Sequence, residues 1–490
     1  MRKLLAALAV VLLALPAHAA AAEKDPSLVR TDKGPVKGTV TATHRTFQGI
    51  PFAAPPVGEL RWRDPQPVKA WSAPRDATKP GPQCAQTGVT TEDCLYLNVT
   101  TPANPGRPRP VMVWIHGGSF LTGSGSIFDA HSLATKTGSV VVTINYRLGA
   151  LGFFGYPGLE GSGAFGLADQ QAALKWVQRN ARAFGGDPHN VTLFGESAGG
   201  MSVCAQLTTP RTTGLFHKAI IQSGACALTF PAGGGTFESL FAPRETVQAT
   251  GAKVDLGCTD IECLRKVDVA KLVAPAVGGQ FNRPAFHTRA LPGDPAAAER
   301  EGRFHRVPVL LGTTRDEATL FVVLQAPQPV PPPLYRTVIA DLYGEQRADA
   351  IIAKYPLDGD ADIRPEVAAI GTDSAWACQT ATSGRLLAKR TDVHRYEFAD
   401  RAAPMIFPGM PAFPYGAYHA SELTYLFDFP VNFTPEQRKL SDYMIGAWGR
   451  FASTGDPGWR ESVVRSLAPG KTAPVDFAAE HQCAFWKGQL

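Results

Sequence analysis

Gly195-Glu196-Ser197-Ala198-Gly199 places a serine hydroxyl between two glycines, directly after the apolar run Val191–Phe194. The run reads as a buried strand and Ala198–Leu207 as a helix, so Ser197 falls on the turn that joins them. A serine so placed is a nucleophile elbow. Its backbone is strained, a side chain at 195 or 199 would crowd it, and the hydroxyl stands at a helix N-terminus. The helix dipole there favours the negative charge that develops when the oxygen attacks an acyl carbonyl. In a chain with 48 glycines the five-residue pattern is weak by itself and depends on its context.

The context begins with Val111-Met112-Val113-Trp114-Ile115-His116-Gly117-Gly118-Ser119-Phe120, a buried strand opening into a glycine-rich loop. The backbone N–H groups of Gly117 and Gly118, joined by that of Ala198, would converge on one point as an oxyanion hole. A serine also needs a histidine to take its proton and an acid to orient that histidine. The histidines downstream are His217, His287, His305, His394, His419 and His481. His419 lies in a glycine- and aromatic-rich loop beyond the strand Tyr396–Phe398, where the base is expected; His217 and His394 read as structural. The strand Val307–Leu311 ends in Gly312-Thr313-Thr314-Arg315-Asp316-Glu317, and by chemistry alone either Asp316 or Glu317 would serve as the acid. Glu196 adjoins the nucleophile but reads as structural, with its side chain turned away from the hydroxyl.

The elements that must position these groups are short apolar strands alternating with helices. Leu167, Leu174, Val177, Ala181 and Phe184 fall on one helical face, ended by Gly185-Gly186. Alternation of this kind predicts the α/β class: a mostly parallel central sheet with helices on both faces and function at the C-terminal strand ends. The order Ser, acid, His is that of the α/β-hydrolase fold. Ala326–Leu334 (APQPVPPPL) is too rich in proline for regular structure and leads into an insertion above the site. The motifs run from residue 35 to 486 with no composition break. That favours one catalytic domain over 24–490, with insertions around 228–300 and 326–413.

Met1-Arg2-Lys3, the apolar run Leu4–Leu15 and Ala17-His18-Ala19 read as a secretory signal peptide over residues 1–19. The run is too short to span a bilayer, so the reading is an exported, secreted or periplasmic protein with no membrane anchor. Loss of Arg2 and Lys3 takes the formal net charge from +5 to +3. No basic cluster points to nucleic acid, and no Cys/His spacing points to zinc, so neither a metal nor an organic cofactor is implied. Eight cysteines in an exported chain suggest disulfides. Cys84/Cys94 and Cys258/Cys263 could close small loops, and Cys378 with Cys483 would staple the C-terminal tail to the body. Cys204 and Cys226 either pair or stand as small buried hydrophobes. Oligomeric state is left open.

Several stretches carry a family resemblance: FQGIPFAAPPVGELRW (47–62), EDCLYLNV (92–99), WIHGGSF (114–120), GLADQQAALKWVQRNARAFGGDPHNVTLFGESAGG (166–200), LFHKAIIQSG (215–224), LLGTTRDEATLF (310–321), YHASEL (418–423) and CAFW (483–486). In content and order they resemble the type-B carboxylesterases, the cholinesterase-like family of α/β-hydrolases. The resemblance implies a secreted serine carboxylesterase that hydrolyses small carboxylic esters through an acyl-enzyme. It implies Glu317 as the acid with Ser197 and His419, and oxyanion donors at Gly117, Gly118 and Ala198. It also implies Ser223 close to the triad and disulfides Cys84–Cys94, Cys258–Cys263 and Cys378–Cys483. Two departures stand out. Ala318 follows the acid where the family usually has glycine, and the nine-residue loop between Cys84 and Cys94 has no aromatic residue to grip a quaternary ammonium. The second argues against choline esters. Other readings are a lipase-like enzyme, a specialised hydrolase of bulky esters, and a non-catalytic binding relative. Asn98, Asn190 and Asn432 head Asn-x-Thr triplets and are read as structural.

Overall fold

Successive residues of a strand point to opposite faces, so a strand apolar at every position must be covered on both sides. Val111–Ile115 of the strand Arg109–Ile115 shows this in the computed structural model, which describes residues 25–104, 106–357, 359 and 362–489. The signal segment read at 1–19 lies outside the described residues. Val111, Val113 and Ile115 pack in one buried cluster with Leu167, Leu174 and Val177 of the helix Phe165–Asn180. Met112 and Trp114 pack in another with Met444 and Trp448 of the helix Pro435–Thr454. That second helix starts at a capping box in which Thr434 and Gln437 satisfy each other's backbone N–H groups.

The central sheet has eleven strands. In chain order they are β1 (Thr39–Val40), β2 (His44–Pro51), β3 (Tyr96–Pro102), β4 (Arg109–Ile115), β5 (Val140–Ile144), β6 (Gly186–Glu196), β7 (Lys218–Gln222), β8 (Val309–Thr314), β9 (Val393–Phe398), β10 (Val464–Ala468) and β11 (Lys471–Val475). Their spatial order is β11-β10-β9-β8-β7-β6-β4-β5-β3-β2-β1. From β5 to β10 the strands are parallel, and the outer strands are antiparallel. This is the α/β-hydrolase fold, with β4 inserted between β5 and β6. Ile115 and Gly195, near the C-terminal ends of β4 and β6, lie side by side in register. Reversal of strand order at this point leaves a crevice beyond those ends, the usual ligand position in such sheets.

The proline-dense stretch leads into a short 3₁₀ turn at Pro332–Leu334 and then into the helices Tyr335–Tyr343 and Glu345–Lys354. All eight cysteines are bonded: Cys84–Cys94, Cys204–Cys226, Cys258–Cys263 and Cys378–Cys483. No helix among the described residues is long and apolar enough to cross a membrane.

Candidate active site

Ser197 joins β6 to the helix Ala198–Thr208 with φ 56° and ψ −125°. A backbone of this kind costs about 1–3 kcal/mol and persists only where its surroundings hold it. Here the Ser197 N–H donates to the Gln222 carbonyl at the end of β7 (2.9 Å), and the Ser197 carbonyl accepts from the Met201 N–H (2.8 Å). The flanking glycines leave no space for a side chain. A Cβ at Gly199 would lie 2.0 Å from the Ile115 carbonyl oxygen, and one at Gly195 would lie 2.6 Å from Gly199. Of the eight non-glycine residues with positive φ among the described residues, five (Ser119, Phe120, Ser197, Ser223 and Ala420) border this site, so strain is concentrated there.

The loop after β4 packs onto the elbow. A Cβ on Gly117 would sit 3.1 Å from the Ser197 Cβ, and Gly118 takes φ +103°. The N–H groups of Gly117 and Gly118 meet no acceptor among the described residues. His116, not singled out in the sequence, braces this loop. Its Nδ1 lies 2.8 Å from the Gly117 carbonyl, which only accepts, so Nδ1 carries a proton. Burial holds the ring's pKa down at about 4 and keeps it neutral. The ring stacks on Tyr146 at 4.5 Å, and the Tyr146 hydroxyl donates to the His116 carbonyl. The only sequence signal for this role was its place between a strand and two glycines.

Glu317 is fully buried just beyond β8, with its Oε2 2.6 Å from His419 Nδ1. Its Oε1 accepts from the Ser223 hydroxyl (2.5 Å) and the Thr314 N–H (2.9 Å). Because the carboxylate accepts, Nδ1 of His419 carries the proton and Nε2 is left as the basic nitrogen. Asp316, the other acid, turns outward: it takes a two-pronged bond from Arg401 and accepts the Ala417 N–H. The His419 ring lies against Phe321 and Trp376, each with its centroid 4.8 Å away.

Glu196, read from sequence as turned away from the Ser197 hydroxyl, places its Oε1 3.1 Å from His419 Nε2, so the side chain faces the histidine. The approach lacks hydrogen-bonding direction, and Nε2 keeps its bonding capacity unspent. Glu422 joins the cluster and accepts from Gln222 Nε2 (3.1 Å), whose amide oxygen accepts from Trp448. Burial, helped by Glu422 and Glu317, outweighs the opposing pull of His419 and raises Glu196 to about 8. Burial and Glu317 raise Glu422 to about 7. Burial pulls His419 down, but Glu196, Glu317 and Glu422 outweigh it and lift the ring to about 9. The roles of Glu196, Glu422 and Trp376 were not legible in sequence, since each depends on a partner far along the chain.

A cavity of about 290 Å³ opens beside Ser197, with Phe120, Met201, Phe230, Phe321 and Trp376 among its walls. Leu342 and Tyr343, from the insertion after the prolines, complete one side, and no wall residue carries a charge. A larger cavity, about 740 Å³, lies behind the acid and histidine loops against Asp316, Tyr415 and His481, without Ser197. Of the two, the smaller one holds Ser197, the candidate nucleophile. One group of possible metal ligands occurs among the described residues: Asp129, His131 and Asp428, with ligand atoms within 4.8 Å of one another. It lies at the partly exposed start of the helix His131–Thr137, where both aspartates already accept backbone N–H groups.

Fold and elbow together define an α/β-hydrolase. The sequence profile of the carboxylesterase family matches residues 25–472, and the chain belongs to that family. It is 37% identical over 488 residues to the fumonisin B1 esterase of Sphingopyxis macrogoltabida, covering 89% of this chain and 84% of that one. It is 35% identical over 466 residues to the para-nitrobenzyl esterase of Bacillus subtilis, covering 88% and 90%. A solved PNB esterase structure superposes with a TM-score of 0.77 at 32% identity, over 94% of this chain and 100% of that one.

Proposed function

We propose that the protein hydrolyses uncharged esters of short to medium acyl chains by a Ser197–His419–Glu317 triad. His419 Nε2 takes the Ser197 proton as the oxygen attacks the ester carbonyl. The N–H groups of Gly117, Gly118 and Ala198 receive the oxyanion, each such donor being worth about 10²–10³ in rate. Glu317 holds the imidazolium that forms. The alcohol departs with the proton from His419, and water activated by the same nitrogen then releases the acid. The observation that carries this reading is the pairing of Glu317 with His419 Nδ1 beside the strained Ser197 elbow. An apolar cavity at the low end of ligand-pocket sizes supports the substrate class. Export is part of the same reading, supported by four disulfides and the N-terminal signal pattern.

The test is hydrolysis of p-nitrophenyl esters from acetate to palmitate by the mature protein and by Ser197→Ala. Rapid turnover of short chains, lost in the variant, is the expected result. A Ser197→Ala protein with undiminished turnover would overturn the triad. A preference for palmitate would move the reading to a lipase.

A further inference from the structure

The helix that packs against the catalytic histidine widens into a π-helix at Thr372–Ala377, between the helical stretches Arg364–Gly371 and Cys378–Leu387. Such widenings are rare and recur at functional sites. One side of this segment touches the catalytic machinery. Trp376 lies on the His419 ring, and Thr372 Oγ1 accepts the N–H of Ala318, the residue after Glu317 (3.0 Å). Its other side meets a buried histidine. His481 Nδ1 lies 2.6 Å from Asp373 Oδ1, and its Nε2 lies 2.7 Å from Glu397 Oε1 on β9. Carboxylates only accept, so both ring nitrogens are donors and the ring is an imidazolium.

The bracket is closed on every side. Asp373 also accepts from the Tyr355 hydroxyl (2.7 Å), which in turn accepts from Trp486 Nε1 (2.7 Å). Glu397 accepts from Arg315 (3.1 Å), two residues before Glu317, and Arg315 pairs as well with Glu480. Gln482 takes a left-handed backbone (φ 51°) next to His481, and the Cys378–Cys483 disulfide ties the end of the π-helix to the same segment. The cavity of about 740 Å³ reaches His481 and Asp373 and gives the ring a route for its proton. That cavity's other charged walls are Arg315, Asp316, Lys354, Arg401 and Glu480.

We infer that His481 is a positioning residue. Its doubly bonded ring holds the π-helix in the register that sets Trp376 against His419 and thereby orients the catalytic base. The inference rests on the triad reading above. Burial pulls the His481 ring down, while its bonds to Asp373 and Glu397 more than reverse that and raise it to about 9. The bracket is therefore intact below that pH and is lost as pH rises through it, when one buried carboxylate loses its donor.

The experiment compares wild type with His481→Gln, with kcat and KM for p-nitrophenyl butyrate taken per active site titrated by an organophosphate. A small displacement of a catalytic group costs up to about 10²-fold, so the variant should lose about 10–10²-fold in kcat with little change in KM. The ratio of wild-type to variant kcat should fall towards one above pH 9, because wild type then loses the same contact; titration of His419 itself cancels in that ratio. Equal kcat per titrated site, or a ratio constant from pH 7 to 10, overturns the inference. Hydrogen–deuterium exchange of wild type alone guards against a variant that does not fold. Residues 372–377 should lose protection above pH 9, beyond the intrinsic base-catalysed rise, while Lys218–Gln222 should not. Unchanged protection there also overturns it. Failure of Ser197 to label would sink the triad reading instead, and leaves the exchange result to decide the bracket.

Discussion

Replacing Glu317 with glutamine changes one heavy atom and should silence the enzyme by way of a tautomer. The carboxylate uses Oε1 to accept from Thr314 N–H and the Ser223 hydroxyl, and Oε2 to accept from His419 Nδ1–H. An amide has one accepting end and one donating end. The Thr314 N–H is a fixed backbone donor in a fully buried site, so turning the NH₂ towards it sets donor against donor. Leaving that N–H unsatisfied costs about 1–3 kcal/mol. The amide therefore keeps its oxygen on Thr314 and aims its NH₂ at His419 Nδ1, which can only comply by giving up its proton. Nε2 then holds the proton and cannot take one from Ser197. Loss of the charged bond to the imidazolium adds about 1.5–3 kcal/mol. Together the two come to about 2.5–6 kcal/mol, or about 10²–10⁴ in rate. The assay is kcat for p-nitrophenyl acetate, with melting temperature and circular dichroism to show that the fold is kept. A folded Glu317→Gln protein within tenfold of wild type would refute the argument. So would an equal loss in Asp316→Asn, whose carboxylate meets Arg401 and Ala417 instead of the histidine.

Glu196→Gln removes the acid nearest Nε2, so the His419 ring, now lifted to about 9, should fall. His419 works as a base only when neutral. The acid limb of kcat/KM should therefore move to lower pH, by about one unit or more, in a profile from pH 5 to 10; an unmoved limb counts against the geometry. Gly118→Ala forces a Cβ to within 2.2 Å of the Thr122 carbonyl oxygen at a φ of +103°. The oxyanion loop must shift, and kcat should drop about 10²–10³-fold while organophosphate titration still finds a folded site. Joint Cys378→Ser and Cys483→Ser substitution opens a link between residues 105 apart and should cost up to about 4.7 kcal/mol, read as a lower melting temperature by calorimetry. An unchanged melting temperature would show that the tail is held by its other contacts alone.

The fold class and the positions of the central strands were legible because those strands are apolar on both faces. Their ends were less so. The strand expected over Val307–Leu311 runs instead over Val309–Thr314, and that expected over Tyr396–Phe398 starts at Val393. Thr313, Thr314 and His394 are buried polar residues, which a reading of apolar runs places outside a strand. In the site, Ser197 and the glycine loop announce themselves through local spacing. The choice between Asp316 and Glu317 does not, since what separates them is Arg401 on one and His419 on the other, both supplied from far along the chain. Cys204 and Cys226 posed the same problem: both lie in the core, and only the three-dimensional path brings their sulfurs together.

Three buried carboxylates around one imidazole would disable the site if all were ionised, because His419 would then stay protonated and could not act as a base. Donors divide the work among them. Glu317 receives Thr314 N–H and the Ser223 hydroxyl on one oxygen and His419 on the other. Glu196 Oε1 and Glu422 Oε2 have no hydrogen-bond partner, and both acids are pushed up, to about 8 and about 7. Burial thus favours the protonated form of both acids, which lessens the field that lifts His419. In the proposed mechanism the imidazolium formed when the ring takes the Ser197 proton pulls the pKa of both acids down, since a cation then sits beside them. Identity as glutamate does not set the three roles apart; the number of donors aimed at each oxygen does.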